Sequence, residues 1–317
     1  MRQQALRKDL DLEEEAGTRR RANVLCPVDF SALSQRSLRL AIEMCRRIGG
    51  KLILEHNLEG APPSGLGVGW MWSEEHGSKA RDQAAEAVAR LQQLFEEVPE
   101  EIEYEAKITR GPIDDGILYL ARELPASMIV IGTHGPSDAA HRSLTERLII
   151  RSPCPVLTTG EGYLPESVFG VDDGRKPEDL AVVIPVDFSP RSRACVQYGL
   201  AMARAMPHHF HLVHVAPADG AGDTEASARL ERRLQDLVPE PLAGRISTQL
   251  VHGDPIPSIL QVARETRALF ILMPAHGRSP LKRFLFGTTT LGVLHGSDCP
   301  VYFLPPKAST GLGFGRS

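Results

Sequence analysis

A chain of 317 residues, 42% hydrophobic and 24% charged, has the length for two domains with their own cores and the composition of a soluble globular protein. A net charge of −4 with both signs interspersed argues against nucleic acid as the main partner, and no apolar run approaches the roughly 18 residues that span a bilayer. The charged segment 1–21 lacks the apolar stretch of a secretory signal, and Cys26, Cys45, Cys154, Cys195 and Cys299 form no Cys-x-x-Cys pair, so the expected location is cytoplasmic with reduced thiols.

After the charged arm (1–21), Val24–Val28 reads as a short apolar strand. Ser31 is placed to cap a helix that runs through Ile48 and is ended by Gly49-Gly50. Lys51–His56 is a second strand. Leu58–Gly77, rich in Gly and Pro and carrying Trp70 and Trp72, reads as a loop whose tryptophans pack over the domain surface. Then follow a helix Ser78–Phe95, a strand Ile102–Thr109, a helix Ile113–Leu124, a strand Met128–Ile131, a helix Leu144–Arg151 and a strand Val156–Thr158. A linker, 160–179, leads to a second series: Ala181–Pro185, Ser192–Met206, Phe210–Val215, Glu225–Val238, Ile246–Val251, Ile256–Thr266, Leu269–Met273, Thr288–His295 and Val301–Leu304. Strand–helix alternation of this kind predicts α/β domains, each a five-stranded parallel sheet between helices. The expected boundaries are 22–159 and 180–306, with a tail at 307–317.

The two series are copies. Val24-Leu25-Cys26-Pro27-Val28-Asp29-Phe30-Ser31 returns as Val182-Val183-Ile184-Pro185-Val186-Asp187-Phe188-Ser189, and 24–56 shares 11 of 33 positions with 182–214 at an offset of 158. The offset falls to 142 at Gly111/Gly253, so the first copy carries 16 extra residues near its Gly/Pro/Trp loop. It rises to 145 at Cys154/Cys299, so the first copy lacks three residues between its fourth strand and last helix. A period this long is a whole domain.

Open parallel sheets bind ligands at the carboxyl ends of their strands. In the second copy, Asp187 closes the first strand there, and the fourth runs into Pro274-Ala275-His276-Gly277. Nine residues later Gly287-Thr288-Thr289-Thr290 opens a helix. Glycine lets the backbone approach a phosphate, and a helix N-terminus offers unpaired N–H donors. Arg278, Lys282 and Arg283 are placed to balance phosphate charge. Taken alone the spacing more often marks a helix cap and a surface loop; its position after the fourth strand favours a phosphate site.

These residues resemble the universal stress proteins in their tandem form, over nearly the whole chain except the arm and the linker. The family's pattern of Gly, two residues, Gly, nine residues, Gly and Ser/Thr is met by Gly277, Gly287 and Thr288, with Pro274 in place of the first glycine. The resemblance implies two Rossmann-like domains of the adenine nucleotide alpha hydrolase-like type, related by an approximate twofold axis. It further implies that Val156–Thr158 and Val301–Leu304 meet across the interface, and that a homodimer can form. The implied ligand is ATP, with Mg as its counter-ion. Pro185, Val186, Asp187 and Phe188 would face the nucleoside, with Val215 beside the adenine, and Met273, Pro274 and His276 would belong to the same nucleotide site. Gly277, Arg278, Gly287, Thr288 and Thr289 would take the phosphates.

The first copy departs from the pattern. Gly132-Thr133-His134-Gly135 keeps both glycines, but counting forward reaches Thr145-Glu146, and counting back from the C-terminal side puts Arg142-Ser143 in the Gly-Thr place. Either way the loop is three residues short, and Asp138 adds negative charge. The first site is therefore expected to be weak or lost, and Asp29 to serve as a cap for the helix after it. The expected function is an ATP-binding regulatory protein of the stress response; rival readings are a scaffold that binds no nucleotide and a slow ATPase. No nucleophile accompanies His134 or His276, and His208, His209, His211 and His214 lack a third metal ligand, so neither catalysis nor metal binding is favoured.

Overall fold

The computed structural model describes residues 22–58, 74–133, 139–160, 180–275 and 287–305, with backbone alone for 74–81 and 139–143. The charged arm, Trp70 and Trp72, segments 134–138 and 276–286, most of the linker and the tail lie outside these residues. The first half runs β1 (Asn23–Pro27), α1 (Ala32–Ile48), β2 (Lys51–Leu58), α2 (Glu74–Phe95), β3 (Tyr104–Arg110), α3 (Ile113–Glu123), β4 (Ala126–Gly132), α4 (Ala139–Arg151) and β5 (Val156–Thr159). The second runs β6 (Ala181–Pro185), α5 (Pro190–Ala205), β7 (His209–Ala216), α6 (Thr224–Gln235), β8 (Ile246–His252), α7 (Pro255–Glu265), β9 (Ala268–Pro274), α8 (Thr288–Gly296) and β10 (Val301–Leu304).

The sequence-derived elements are all present, with two informative shifts. Helix α2 begins at Glu74, inside the stretch read as loop: Glu74 and Glu75 are good helix formers whose charge suits an N-terminal end, and together they outweigh Gly77. Helix α4 begins at Ala139 rather than Leu144.

The strands form one ten-stranded sheet in the order β3-β2-β1-β4-β5-β10-β9-β6-β7-β8. Within each half every pairing is parallel. The junction β5–β10 is antiparallel, with Val156 opposite Phe303, Leu157 opposite Tyr302 and Thr158 opposite Val301. Leu157 and Tyr302 are equivalent positions at the 145-residue offset, so the register is centred on a twofold axis between the copies. One apolar layer contains α1 residues (Leu38, Leu40, Met44) and the matching α5 residues (Val196, Met202). The other contains Ile117 and Leu118 of α3 with Ile259 and Val262 of α7. Equivalent helices thus share a face, which requires the axis to be normal to the sheet, and each core layer crosses from one half to the other.

Short repeated devices hold the same turns in both copies. Ser31 Oγ accepts from Ser34 N at 3.2 Å to cap α1, and Ser189 Oγ accepts from Ser192 N at 3.2 Å to cap α5. Ser152 Oγ donates to the Cys154 carbonyl at 2.6 Å, as Ser297 does to Cys299 at 2.7 Å, fixing the turn into each last strand. All five cysteines are free. Burial pushes the Cys45 thiol up to about 12 and those of Cys154 and Cys299 up to about 11, so these are core groups rather than nucleophiles.

Candidate functional site

The exits of β1 and β6 have the same geometry. Asp29 Oδ1 accepts from Ser31 N at 2.9 Å, and Asp187 Oδ1 from Ser189 N at 2.9 Å. Between them Phe30 and Phe188 adopt left-handed backbone, φ 64° and 58°, a conformation that disfavours residues with a Cβ. Each ring is held on two sides: Phe30 lies 4.5 Å from His56 and 4.1 Å beneath the Arg90 guanidinium, and Phe188 lies 4.6 Å from His214 and 4.1 Å beneath Arg233. His56 Nδ1 donates to the Val28 carbonyl at 2.8 Å, and His214 Nδ1 to Val186 at 2.6 Å. Strain of this kind persists where its surroundings over-determine it, and such places cluster at ligand sites. Burial works against Asp29 ionising, but hydrogen bonds from Ser31 and Ser34 prevail and hold its carboxyl below the usual range.

In the second half the site residues Pro185, Val186, Asp187, Phe188, Val215, Met273 and Pro274 sit at the carboxyl ends of β6, β7 and β9. Gly287 is the N-cap of α8, with φ −68° and ψ 149°, and among the described residues no side chain caps the helix; Thr288 and Thr289 occupy its first turn. The first turn of a helix carries N–H groups that the helix itself does not pair. His276, Gly277 and Arg278 lie outside the described residues.

Pro274 is less disruptive than the family pattern suggests. Its first-half equivalent, Gly132, has no positive φ; a Cβ at Gly132 would lie 2.5 Å from Leu33 Cγ. The glycine is therefore needed for close approach to Leu33, whose second-half counterpart is Arg191. β6 pairs with β9 only as far as Val183–Ile271, so the proline ring falls beyond that pairing.

The first half differs at the phosphate end. At the 145-residue offset Arg142 and Ser143 match Gly287 and Thr288, but α4 is already helical from Ala139. Its first unpaired N–H groups thus fall about one turn earlier, roughly 5 Å along the axis. Thr145, the match of Thr290, is buried and donates to the Gly132 carbonyl at 3.2 Å, closing helix against strand.

A cavity of about 490 Å³ nevertheless lies at this end of the first half, among Asp29, Phe30, Glu55, Asn57, Arg90 and Thr145. Glu55 is 1% exposed; burial, opposed by a hydrogen bond from Thr109, pushes its carboxyl up to about 7. Sequence reading missed Glu55, Asn57 and Thr109. The signal was available: at the repeat offsets they replace Val213, Val215 and Val251, so three polar residues stand where the other copy has valine. Among the other residues considered, His209 and His211 both bond Ser247 Oγ, at 2.9 and 2.5 Å, and His211 also bonds Gln249 at 2.8 Å.

A mostly parallel sheet built from two repeats, with a cavity at the strand ends of the first, defines a Rossmann-like α/β protein. The universal stress protein family model matches residues 21–159 and 181–305, and the chain belongs to that family. A universal stress protein of Methanocaldococcus jannaschii is 24% identical over 133 residues, 38% of this chain and 78% of that protein. Among solved structures, a universal stress protein from Archaeoglobus fulgidus superposes with TM-score 0.59 at 18% identity, covering 89% of this chain and 96% of its own. One from Pseudomonas aeruginosa, described as a putative universal stress protein, gives 0.56 at 15% identity, covering 91% and 95%. At these identities the structural likeness is one of fold. Among the described residues no helix is long and apolar enough to cross a membrane.

Proposed function

We propose that the second half binds an adenine nucleotide, ATP, and that the protein acts by binding rather than by catalysis, as a regulator in the stress response. The observation that carries this reading is the start of α8: Gly287 caps the helix with no side-chain cap among the described residues, at the carboxyl end of the sheet and one strand from Asp187. Backbone donors and a helix dipole at that place suit phosphate. Pro185–Phe188 and Val215 then take the nucleoside, Met273 and Pro274 flank it, and Mg²⁺ accompanies the triphosphate as its counter-ion. His276, Gly277 and Arg278 belong to this reading through the sequence pattern alone. The first half is not expected to hold a triphosphate, because α4 occupies the place of the cradle and moves its donors by a turn. Because β5 and β10 cover each other's edges, a homodimer would use another surface.

Calorimetry with ATP tests this. We expect close to one nucleotide per chain. Gly287→Asp should lower affinity at least tenfold, about 1.4 kcal/mol, because it puts a carboxylate where N–H groups must meet phosphate. Asp187→Ala should weaken binding while Asp29→Ala leaves it intact, each variant being checked for folding by circular dichroism. Two equal sites, or unchanged affinity in folded Gly287→Asp, would reject the assignment. A parent protein that binds no ATP would leave a scaffold of the same fold.

A further inference from the structure

The first-half cavity presents a different chemistry from the second-half site. Asn57 Nδ2 donates to Thr109 Oγ1 at 2.8 Å, and the Thr109 hydroxyl donates to Glu55 Oε1. This chain uses one of the two Asn57 N–H donors and the Thr109 hydroxyl, and ends on an acceptor at each side. One is the Glu55 carboxyl; the other is Asn57 Oδ1, buried with no hydrogen-bond partner among the described residues. A buried acceptor without a donor is costly, so Asn57 Oδ1 leaves the arrangement incomplete as it stands. Charge points the same way. Asp29, Glu55 and Glu86 line the cavity against Arg90, which is already stacked on Phe30. A cavity of that sign repels phosphate and attracts N–H donors. Its volume, about 490 Å³, suits a small organic molecule.

We infer that the first-half cavity binds a small molecule through a guanidine-type pair of N–H donors set against the Glu55 carboxyl, which Asn57 positions through Thr109, and not an adenine nucleotide. Two sources carry that group: the N1–H and N2–H₂ edge of guanine, and a free guanidinium cation. Adenine places an acceptor nitrogen beside its amine and cannot donate from both positions. The site is independent of the nucleotide site proposed in the second half, whose matching residues are Val213, Val215 and Val251. The titratable groups around Glu55 are Asp29, His56, Glu86 and Arg90 at the cavity, and Lys107, its register partner on β3, which is paired with Glu105. Helices α3 and α4 bring Ile113, Ile117, Leu144 and Thr145 to the cavity.

The test is calorimetry on the full chain carrying Asp187→Ala and Gly287→Asp, which together remove the proposed nucleoside and phosphate contacts of the second half, with guanosine, methylguanidine and adenosine as probes. The parent chain, titrated alongside, serves if that variant does not fold. We expect guanosine or methylguanidine to saturate one site, with adenosine at least tenfold weaker. Asn57→Val, which installs the second-half residue, and Glu55→Gln should each weaken the bound probe at least tenfold. Its affinity should rise from pH 6 to pH 8 in the parent and stay flat in Glu55→Gln, which separates Glu55 from His56. Guanosine alone identifies the base as the source, methylguanidine alone the cation, and binding of both supports the shared donor pair. Equal binding of adenosine that Glu55→Gln also weakens, unchanged binding of the donor probes in folded Glu55→Gln, or no binding of either donor probe overturns the inference. Failure of ATP to bind the parent would bear on the second half only.

Discussion

Glu55→Gln should make the protein more stable by about 3 kcal/mol at pH 8 and change little near pH 4. Burial raises the folded-state value of Glu55 from 4.5 to about 7. Between those values the native state holds a proton that the unfolded chain has released, so stability falls as pH rises through this window and levels off above about 7. Each unit of separation is worth about 1.4 kcal/mol, which gives the size of the effect. Glutamine keeps an oxygen for the Thr109 hydroxyl and carries no charge to bury. Urea unfolding of parent and variant from pH 4 to pH 8 measures it. Parallel stability–pH curves would show that Glu55 ionises without cost, and would remove the desolvated carboxylate from the account of the first-half cavity.

Phe303→Ala should destabilise the protein by about 3–5 kcal/mol, and the loss should reach both halves. Phe303 is fully buried in β10, opposite Val156 of β5, in a core layer that includes Ile129 and Leu148 from the first half and Ile271 and Val293 from the second. A cavity there removes contacts from both copies at once. Hydrogen exchange should therefore quicken in β4 together with β9. Exchange that rises in β9 while β4 stays protected would mean that each half holds its own core and the junction adds little.

Much of the architecture was legible in the sequence because its causes are local. The apolar runs of β1 and β6, the caps Ser31 and Ser189, and the Gly111/Gly253 pair, with φ 95° and 154°, fix their elements through nearby backbone and need no distant partner. The duplication was also plain, since 158 residues separate two nearly identical strand exits. From the residues alone these features determine two α/β copies, and the Gly277, Gly287 and Thr288 spacing sets apart the second of them.

What the sequence could not decide depends on packing between segments far apart in the chain. That the copies share one sheet follows from the β5–β10 register, and that register is set by apolar surface on both halves. The early start of α4 ends a choice between two alignments of the first loop that spacing left open. The reason for Gly132 is Leu33, a hundred residues away, and not its own backbone angle. Glu55, Asn57 and Thr109 look like unremarkable strand residues until β2 and β3 pair in parallel and bring them together beneath α3. Only then do a buried carboxyl and an unmet amide oxygen appear in one cavity, because burial and hydrogen-bond satisfaction are properties of the assembled fold rather than of any segment in it.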